Sequence, residues 1–142
     1  VISTLDTINH LVEKEDVQKC FDAVYENLND DGIFIFDMNT LYKHEHIMGN
    51  NSFVYDMEDV YCVWSSYFDE QNYINEIVID LFEKQGDAYI RSGESFFERA
   101  YPVEEITDML NKAGFNIIGI YDSDSENKHR NDSERIIYIA RK

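Results

Sequence analysis

The chain has 142 residues, 44% of them apolar and 14% aromatic. That is the size of one domain with a real core, and it excludes a disordered chain. A formal net charge of −17 repels nucleic acid phosphates and anionic lipid surfaces, and no apolar run approaches the ~18 residues of a membrane helix.

The first four residues, "VIST", read as the end of a strand already under way, and the chain starts at Val1 rather than Met. It is therefore expected to be the later part of something longer. Next comes "KEDVQKCFDAVYENL", where Val17, Cys20, Phe21, Val24 and Leu28 step by three and four and share one helix face. Asp30, Asp31 and Gly32 end that helix. Ile33 to Phe36 is a continuous apolar run. Such a run is expected to be an interior strand flanked by parallel neighbours, part of a strand–helix–strand unit.

A short helix is predicted over "LYKHEHIMG". The pattern then changes. "DVYCVWSSYFDE", "NYINEIVIDLFEK" and "DAYIRSGESFFERAY" are rich in β-branched and aromatic residues and are separated by the turns "DEQN" and "KQGD". They predict a three-stranded antiparallel meander inserted into the α/β plan. Its aromatics, among them Tyr61, Trp64, Tyr67, Tyr73, Phe82 and Tyr89, are expected to pack it onto the main sheet, with one or two left to line a pocket.

The α/β plan resumes at "YPVEEITDMLNKAGF". Pro102, Glu104 and Glu105 open a helix, Gly114 closes it, and Val103, Ile106, Met109, Leu110 and Ala113 form its apolar stripe. "FNIIGIYD" and "RIIYIARK" follow as an antiparallel terminal pair joined by the polar loop "SDSENKHRNDSE". The divisions are therefore 1–52 for the first core part, 53–101 for the insertion and 102–142 for the rest of the core.

Ligands of open α/β sheets sit outside the carboxyl ends of the strands. Leu5, Asp6, Thr7 and Asn9 follow the first strand, and Asp37, Asn39 and Thr40 end the second. Neighbouring strands place both polar clusters on one rim. Helix capping is the competing role, for Asp6 before "TINHL" and for Asn39 or Thr40 before the next helix.

Three other constellations carry no chemistry. His44 and His46 of "HEH" lie about 200° apart on a helix and are expected at a solvated loop or helix end, not on one metal. "DSDSEN" begins like a calcium loop but has Asn127 and Ser133 where glycine and glutamate belong. Cys20 and Cys62 form no C-x-x-C pair and no identifiable Cys-His pair, so they are expected to be free thiols in a reducing cytoplasm.

In order and spacing, "LDTINHL", "DDGIFIFDMNTLYK", "ERAYPVEEITDMLNKAGF" and "ERIIYIARK" resemble the later half of a class I S-adenosylmethionine-dependent methyltransferase. The likeness is to the small bacterial type with an inserted antiparallel sheet, and it covers essentially the whole chain. It implies a partial Rossmann-like sheet with an antiparallel last strand. It also implies S-adenosylmethionine as cofactor, with Leu5 and Asp6 beside the methionine moiety and reactive methyl. No G-x-G-x-G occurs, so the family's glycine-rich cofactor loop and the acid ending its second strand would lie before Val1. Weak or absent cofactor binding by this chain alone is the consequence.

The transfer expected is an in-line displacement onto a small-molecule acceptor, without a metal or covalent intermediate. Asp6 and Asp37 are candidates to face the cation. Asp37, Asn39, Tyr42, Arg99 and Tyr101 are the candidate substrate-side residues, with an ion pair to Glu98 or Glu105 as the alternative role for Arg99. The acceptor and any catalytic base are not identified. Alternatives are an assembly module, pairing with a companion segment or with its own copy through an open sheet edge, and a degenerate remnant.

Overall fold

The structure is a computed structural model that describes residues 1–125 and 127–142. Glu126, in the predicted polar loop and in the "DSDSEN" motif, lies outside the described residues.

In chain order the elements are β1 (Ile2–Ser3), a one-turn 3-10 helix (Thr7–His10), α1 (Lys14–Asn27), β2 (Ile33–Asn39) and a wide helical turn (Lys43–Met48). Then come β3 (Ser52–Asp56), β4 (Val60–Asp69), β5 (Ile74–Gln85), β6 (Ala88–Arg99), α2 (Val103–Ala113), β7 (Asn116–Asp122) and β8 (Arg135–Arg141). They form two four-stranded sheets, ordered β1-β2-β8-β7 and β3-β4-β5-β6.

The first sheet carries the core. Alternate residues Phe34, Phe36 and Met38 of β2 and Ile136, Tyr138 and Ala140 of β8 point to one face. There they meet Val17 and Phe21 of α1 and Ile106 and Leu110 of α2. The Phe36 and Tyr138 rings stack with centroids 4.7 Å apart. Among the described residues the opposite face has no helix on it. Ile35, Ile137 and Ile139 are only partly covered, and Ile2 at the β1 edge is 71% exposed.

Two expectations are corrected. β2 is interior, but only β1 is its parallel neighbour; on the other side it pairs antiparallel with β8. The last strand pairs antiparallel with β7, as expected of the terminal pair, and lies between β7 and β2; a local apolar pattern does not record that order. The meander has four strands, not three. β3 adds to β4 with Phe53 opposite Trp64 and Tyr55 opposite Cys62. β3 is short and mostly exposed, so it lacks the alternation that announces a half-buried strand.

α2 stops where predicted. Gly114 takes φ +103°, and its amide and that of Phe115 bond back to the carbonyls of Asn111 and Leu110. Among the described residues no helix is long and apolar enough to cross a membrane. Cys20 and Cys62 are both free thiols.

Candidate active site

The chain bends sharply as it leaves β1. Leu5 and Asp6 adopt φ of 61° and 50°, the left-handed region that costs a side-chain-bearing residue of order 1–2 kcal/mol. What holds the bend is Asp37, from the end of β2. Its carboxylate accepts the Leu5 amide at 3.2 Å and the Asp6 amide at 2.7 Å. The guanidinium of Arg135, the first residue of β8, spans the two acids, 3.1 Å from Asp37 Oδ1 and 3.1 Å from Asp6 Oδ1. The Asn39 side chain donates to Asp6 Oδ2 at 2.7 Å. Below them the buried Asn9 side chain brackets the Asn39 backbone, accepting its amide and donating to its carbonyl. Three strands thus contribute to one hydrogen-bonded rim.

This geometry decides between the capping and rim roles. Asp6 makes no side-chain cap to the turn that follows. Thr40 does cap, accepting the Lys43 amide at 3.1 Å. Asn39 turns instead to Asp6, and Lys43 Nζ donates to its side-chain oxygen at 3.0 Å.

A cavity of about 250 Å³ opens over the rim. Its polar floor is Asp6, Asn39, Lys43 and Arg135. Ile47 and Met48 make one wall, and Phe53, Tyr55 and Trp64 of the second sheet form the lid. Trp64 Nε1 is shielded from solvent and has no hydrogen-bond partner among the described residues.

A buried polar pair links the helical turn after β2 to the end of β6. His44 is fully buried and Glu98 is 3% exposed, with His44 Nε2 and Glu98 Oε2 3.6 Å apart. Asn75 Nδ2 lies 3.3 Å from His44 Nδ1 and its oxygen accepts the Ser66 hydroxyl. On the other side His10 Nε2 is 3.7 Å from Glu98 Oε1. Burial, and after it repulsion from the like charge of Asp6, pushes the Glu98 carboxyl up to about 7. Burial, reinforced by the Lys43 charge, pulls the His44 imidazole down to about 4. Between those two values, at about pH 5 to 6, both groups are largely uncharged, which is how a buried acid and imidazole coexist without a full ion pair. This corrects the expectation for "HEH": His46 is exposed, but His44 is core.

The predicted site residues divide. Asp6, Asp37 and Asn39 come together, and Leu5, 75% exposed, projects from the bend beside them. Arg99 turns away. It donates to the carbonyls of Val12 and Asn72 and lies 5.9 Å from the Tyr101 ring. It makes neither of the ion pairs weighed for it; Glu105 pairs with Lys14. Tyr101 is 3% exposed and its hydroxyl donates to Leu11 O, with burial raising the phenol above its ordinary range. Tyr42 and Tyr101 share a different depression of about 300 Å³, with Glu45, His46 and His129.

The lid aromatics are also corrected. Tyr61, Tyr67, Tyr73 and Tyr89 are 37–56% exposed. Tyr61 and Tyr67 lie on the face of β4 opposite Trp64 and Phe68. Sequence reasoning missed Arg135, Lys43 and the His44–Glu98 pair. Only Arg135 had a signal: an antiparallel last strand must begin where β2 ends.

Among the described residues no group of three or more His, Cys, Asp or Glu side chains converges as a metal site would. For a sulfonium cofactor the donor set fits on one side only. A sulfonium is a cation and the rim carries the carboxylates of Asp6 and Asp37, while no G-x-G-x-G turn occurs in the sequence to hold the rest of such a cofactor.

No protein-family model matches the chain. It is 30% identical over 144 residues to YqeM of Bacillus subtilis, whose name gives methyltransferase as a provisional activity, covering all of this chain and 58% of YqeM. A protein of Geobacillus sp. (strain WCH70) with the same provisional designation is 28% identical over 138 residues, 96% of this chain and 56% of that protein. Among solved structures, an S-adenosylmethionine-dependent methyltransferase from Clostridium acetobutylicum superposes with a TM-score of 0.90 at 34% identity, over 99% of this chain and 56% of that one. The chain thus spans little more than half the length of the relatives it matches.

Proposed function

We propose that this chain, which resembles S-adenosylmethionine-dependent methyltransferases in sequence and fold, is the later, acceptor-side portion of a class I enzyme of that kind, one that methylates a small molecule in the cytoplasm. The observation that carries the reading is the strained rim under the lidded cavity. Asp37, Asn39 and Arg135 hold Leu5 and Asp6 in a costly conformation, and strain of that kind concentrates at functional sites.

When bound, S-adenosylmethionine supplies an electrophilic methyl group. Leu5 and Asp6 would flank its methyl-bearing end. The chain's own contribution is placement: the rim fixes where the cofactor side lies, and the cavity beside it holds the acceptor in line and out of water. Asp37 acts as a positioning residue, since its carboxylate binds the bend and not the cavity.

The uncovered face of the first sheet supports a companion. Both faces of such a sheet are normally packed, and here Ile35, Ile137 and Ile139 await a cover. An upstream segment carrying the glycine loop would supply it and the larger part of the cofactor site.

The experiment is calorimetric titration of S-adenosylmethionine into this chain alone and into the protein extended upstream. The extended form should bind at micromolar concentration and methylate a member of an acceptor pool, detected as a mass gain of roughly 14 Da, one methyl for one hydrogen. The chain alone should bind far more weakly. Equal binding by both forms would contradict the division of the site proposed here.

The exposed β1 edge favours a second reading, an assembly module without chemistry of its own. It predicts dimers of the chain in sedimentation and no transfer from the extended form.

A further inference from the structure

The second sheet ends on β6, and that edge is open. The β5–β6 ladder fixes which groups face outward. Ala100 donates its amide to Tyr73 O, and from that pair the bonded residues of β6 alternate back to Ala88, opposite Gln85 across the turn. Even-numbered residues of β6 therefore bond to β5, while Tyr89, Arg91, Gly93, Ser95 and Phe97 point their amides and carbonyls away from it. Among the described residues no strand pairs with that side. The opening stops at Arg99, whose carbonyl accepts the Asn9 side chain. Open edges are normally guarded. β1 has two residues, β3 has five, and β7 is irregular between Ile117 and Gly119. β6 has none of these guards. It runs twelve residues in unbroken register, without proline or lysine. Arg91 is held back onto the sheet by Asp80 at 2.7 Å, and Tyr89, Ile90 and Phe97 are each about half exposed.

A strand that fits this edge must be apolar at its flanks and, beside a chain of net charge −17, bring no added negative charge. The open stretch itself meets both conditions: between Tyr89 and Phe97 its charges are Arg91 and Glu94. The register follows from the same residues. Antiparallel pairing of two copies about Arg91 or about Glu94 sets like charges face to face, and pairing about Ser92 puts Ile90 opposite Glu94. Pairing about Gly93 sets Tyr89 opposite Phe97, Ile90 opposite Phe96, and Glu94 opposite Ser92. It also lines up the outward-facing residues as hydrogen-bonded pairs. We propose that β6 is a homodimer interface, where two copies of this chain join antiparallel about Gly93 and their two four-stranded sheets become one. The stretch from Tyr89 to Phe97 spans about 30 Å, and edge pairing of that length buries roughly 800–1,000 Å² in all, at the low end for a specific contact. The dimer is therefore weak, with a Kd on the order of 10 μM. Salt should tighten it, by screening the repulsion between two acidic copies. Phe53 and Tyr55 lie on the opposite edge of the sheet, so pairing at β6 leaves the rim cavity open.

Sedimentation velocity over about 2 to 500 μM protein should show the chain pass from monomer to dimer. Ser95→Pro removes an outward amide that β5 does not use, and Phe97→Lys places a charge on the flank. Each should weaken the dimer by roughly tenfold or more. Ile2→Lys, at the β1 edge, should leave it unchanged. Circular dichroism checks that the variants are folded; if Ser95→Pro unfolds, Phe97→Lys decides. Amide exchange gives an independent signature. Between the dilute and concentrated samples, exchange at Arg91, Gly93 and Ser95 should slow by roughly fivefold or more. Ser92 and Glu94, already bonded to β5, should change less. A chain that stays monomeric to about 500 μM, a dimer indifferent to the β6 variants, or one lost with Ile2→Lys would overturn the inference. So would a monomeric extended protein under the same conditions, which would assign this edge to the added segment.

Discussion

Replacing Glu98 with glutamine gives the sharpest test of the buried pair. A carboxyl moved from 4.5 to about 7 by burial makes folding favour the protonated form. Its contribution is fully present below about 4.5 and is lost as pH rises through about 7, and a displacement of that size corresponds to about 3 kcal/mol. His44 works in the opposite sense. Moved from 6.5 down to about 4, its contribution is fully present above about 6.5 and is lost as pH falls through about 4, again by about 3 kcal/mol. The two slopes nearly cancel between pH 4.5 and 7, so the unaltered pair adds little pH dependence there. The side-chain amide introduced by Glu98→Gln never ionises. The stability of the variant relative to the unaltered protein should therefore be greatest at about pH 8 and fall by about 3 kcal/mol on going to about pH 4.5. Urea unfolding followed by circular dichroism at intervals across that range gives the difference directly, and the other acids of the chain cancel in the subtraction. A difference that stays constant with pH to within about 0.5 kcal/mol would mean that Glu98 is ionised in the fold, and would refute the account of the pair.

Three further outcomes follow from the rim and the core. Asp37→Ala removes the acceptor for two amides and one anchor of Arg135; it should cost roughly 3 kcal/mol in chemical unfolding and speed amide exchange at Leu5 and Asp6. Turnover of the extended protein should fall with it, and full turnover despite the lowered stability would assign Asp37 to stability alone. Leu5→Gly should raise the melting temperature slightly, by relieving φ 61° at an exposed side chain, while weakening cofactor binding in the extended protein. Gly114→Ala should cost about 1–3 kcal/mol by thermal unfolding, because the new Cβ would meet the Tyr25 ring at 2.9 Å in a backbone already at φ +103°.

The fold was legible where its causes are local. α2 carries its own start, stripe and stop in Pro102, Ile106, Leu110 and Gly114, and the structure uses all of them. The meander was legible from β4, β5 and β6, which are long and joined by tight turns. β3 escaped because a short, mostly exposed strand holds no pattern, and the partner of β2 escaped because pairing is a property of the whole sheet. "RIIYIARK" suits an edge or an interior equally well, and only the arrival of β8 between β2 and β7 decides it.

The site divides along the same physical line. Asp6, Asp37 and Asn39 were readable because strand ends expose whatever follows the apolar run, and polar residues there need a reason. His44 and Glu98 were not, because their role depends on burial by elements far apart in the chain: the turn after β2 and the end of β6. Arg135 lies between these cases, and it is the residue that joins them. It sits opposite Asn39 in the register of β2 and β8, so its guanidinium can reach Asp37 and Asp6 only because β8 is inserted antiparallel beside β2. A parallel last strand would deliver its amino-terminal residue to the other end of the sheet. Two carboxylates within reach of one strained bend would then repel each other with no cation between them. The reversed final strand is thus part of what makes the rim possible, and the bend at Leu5 and Asp6 is held as much by the end of the chain as by its beginning.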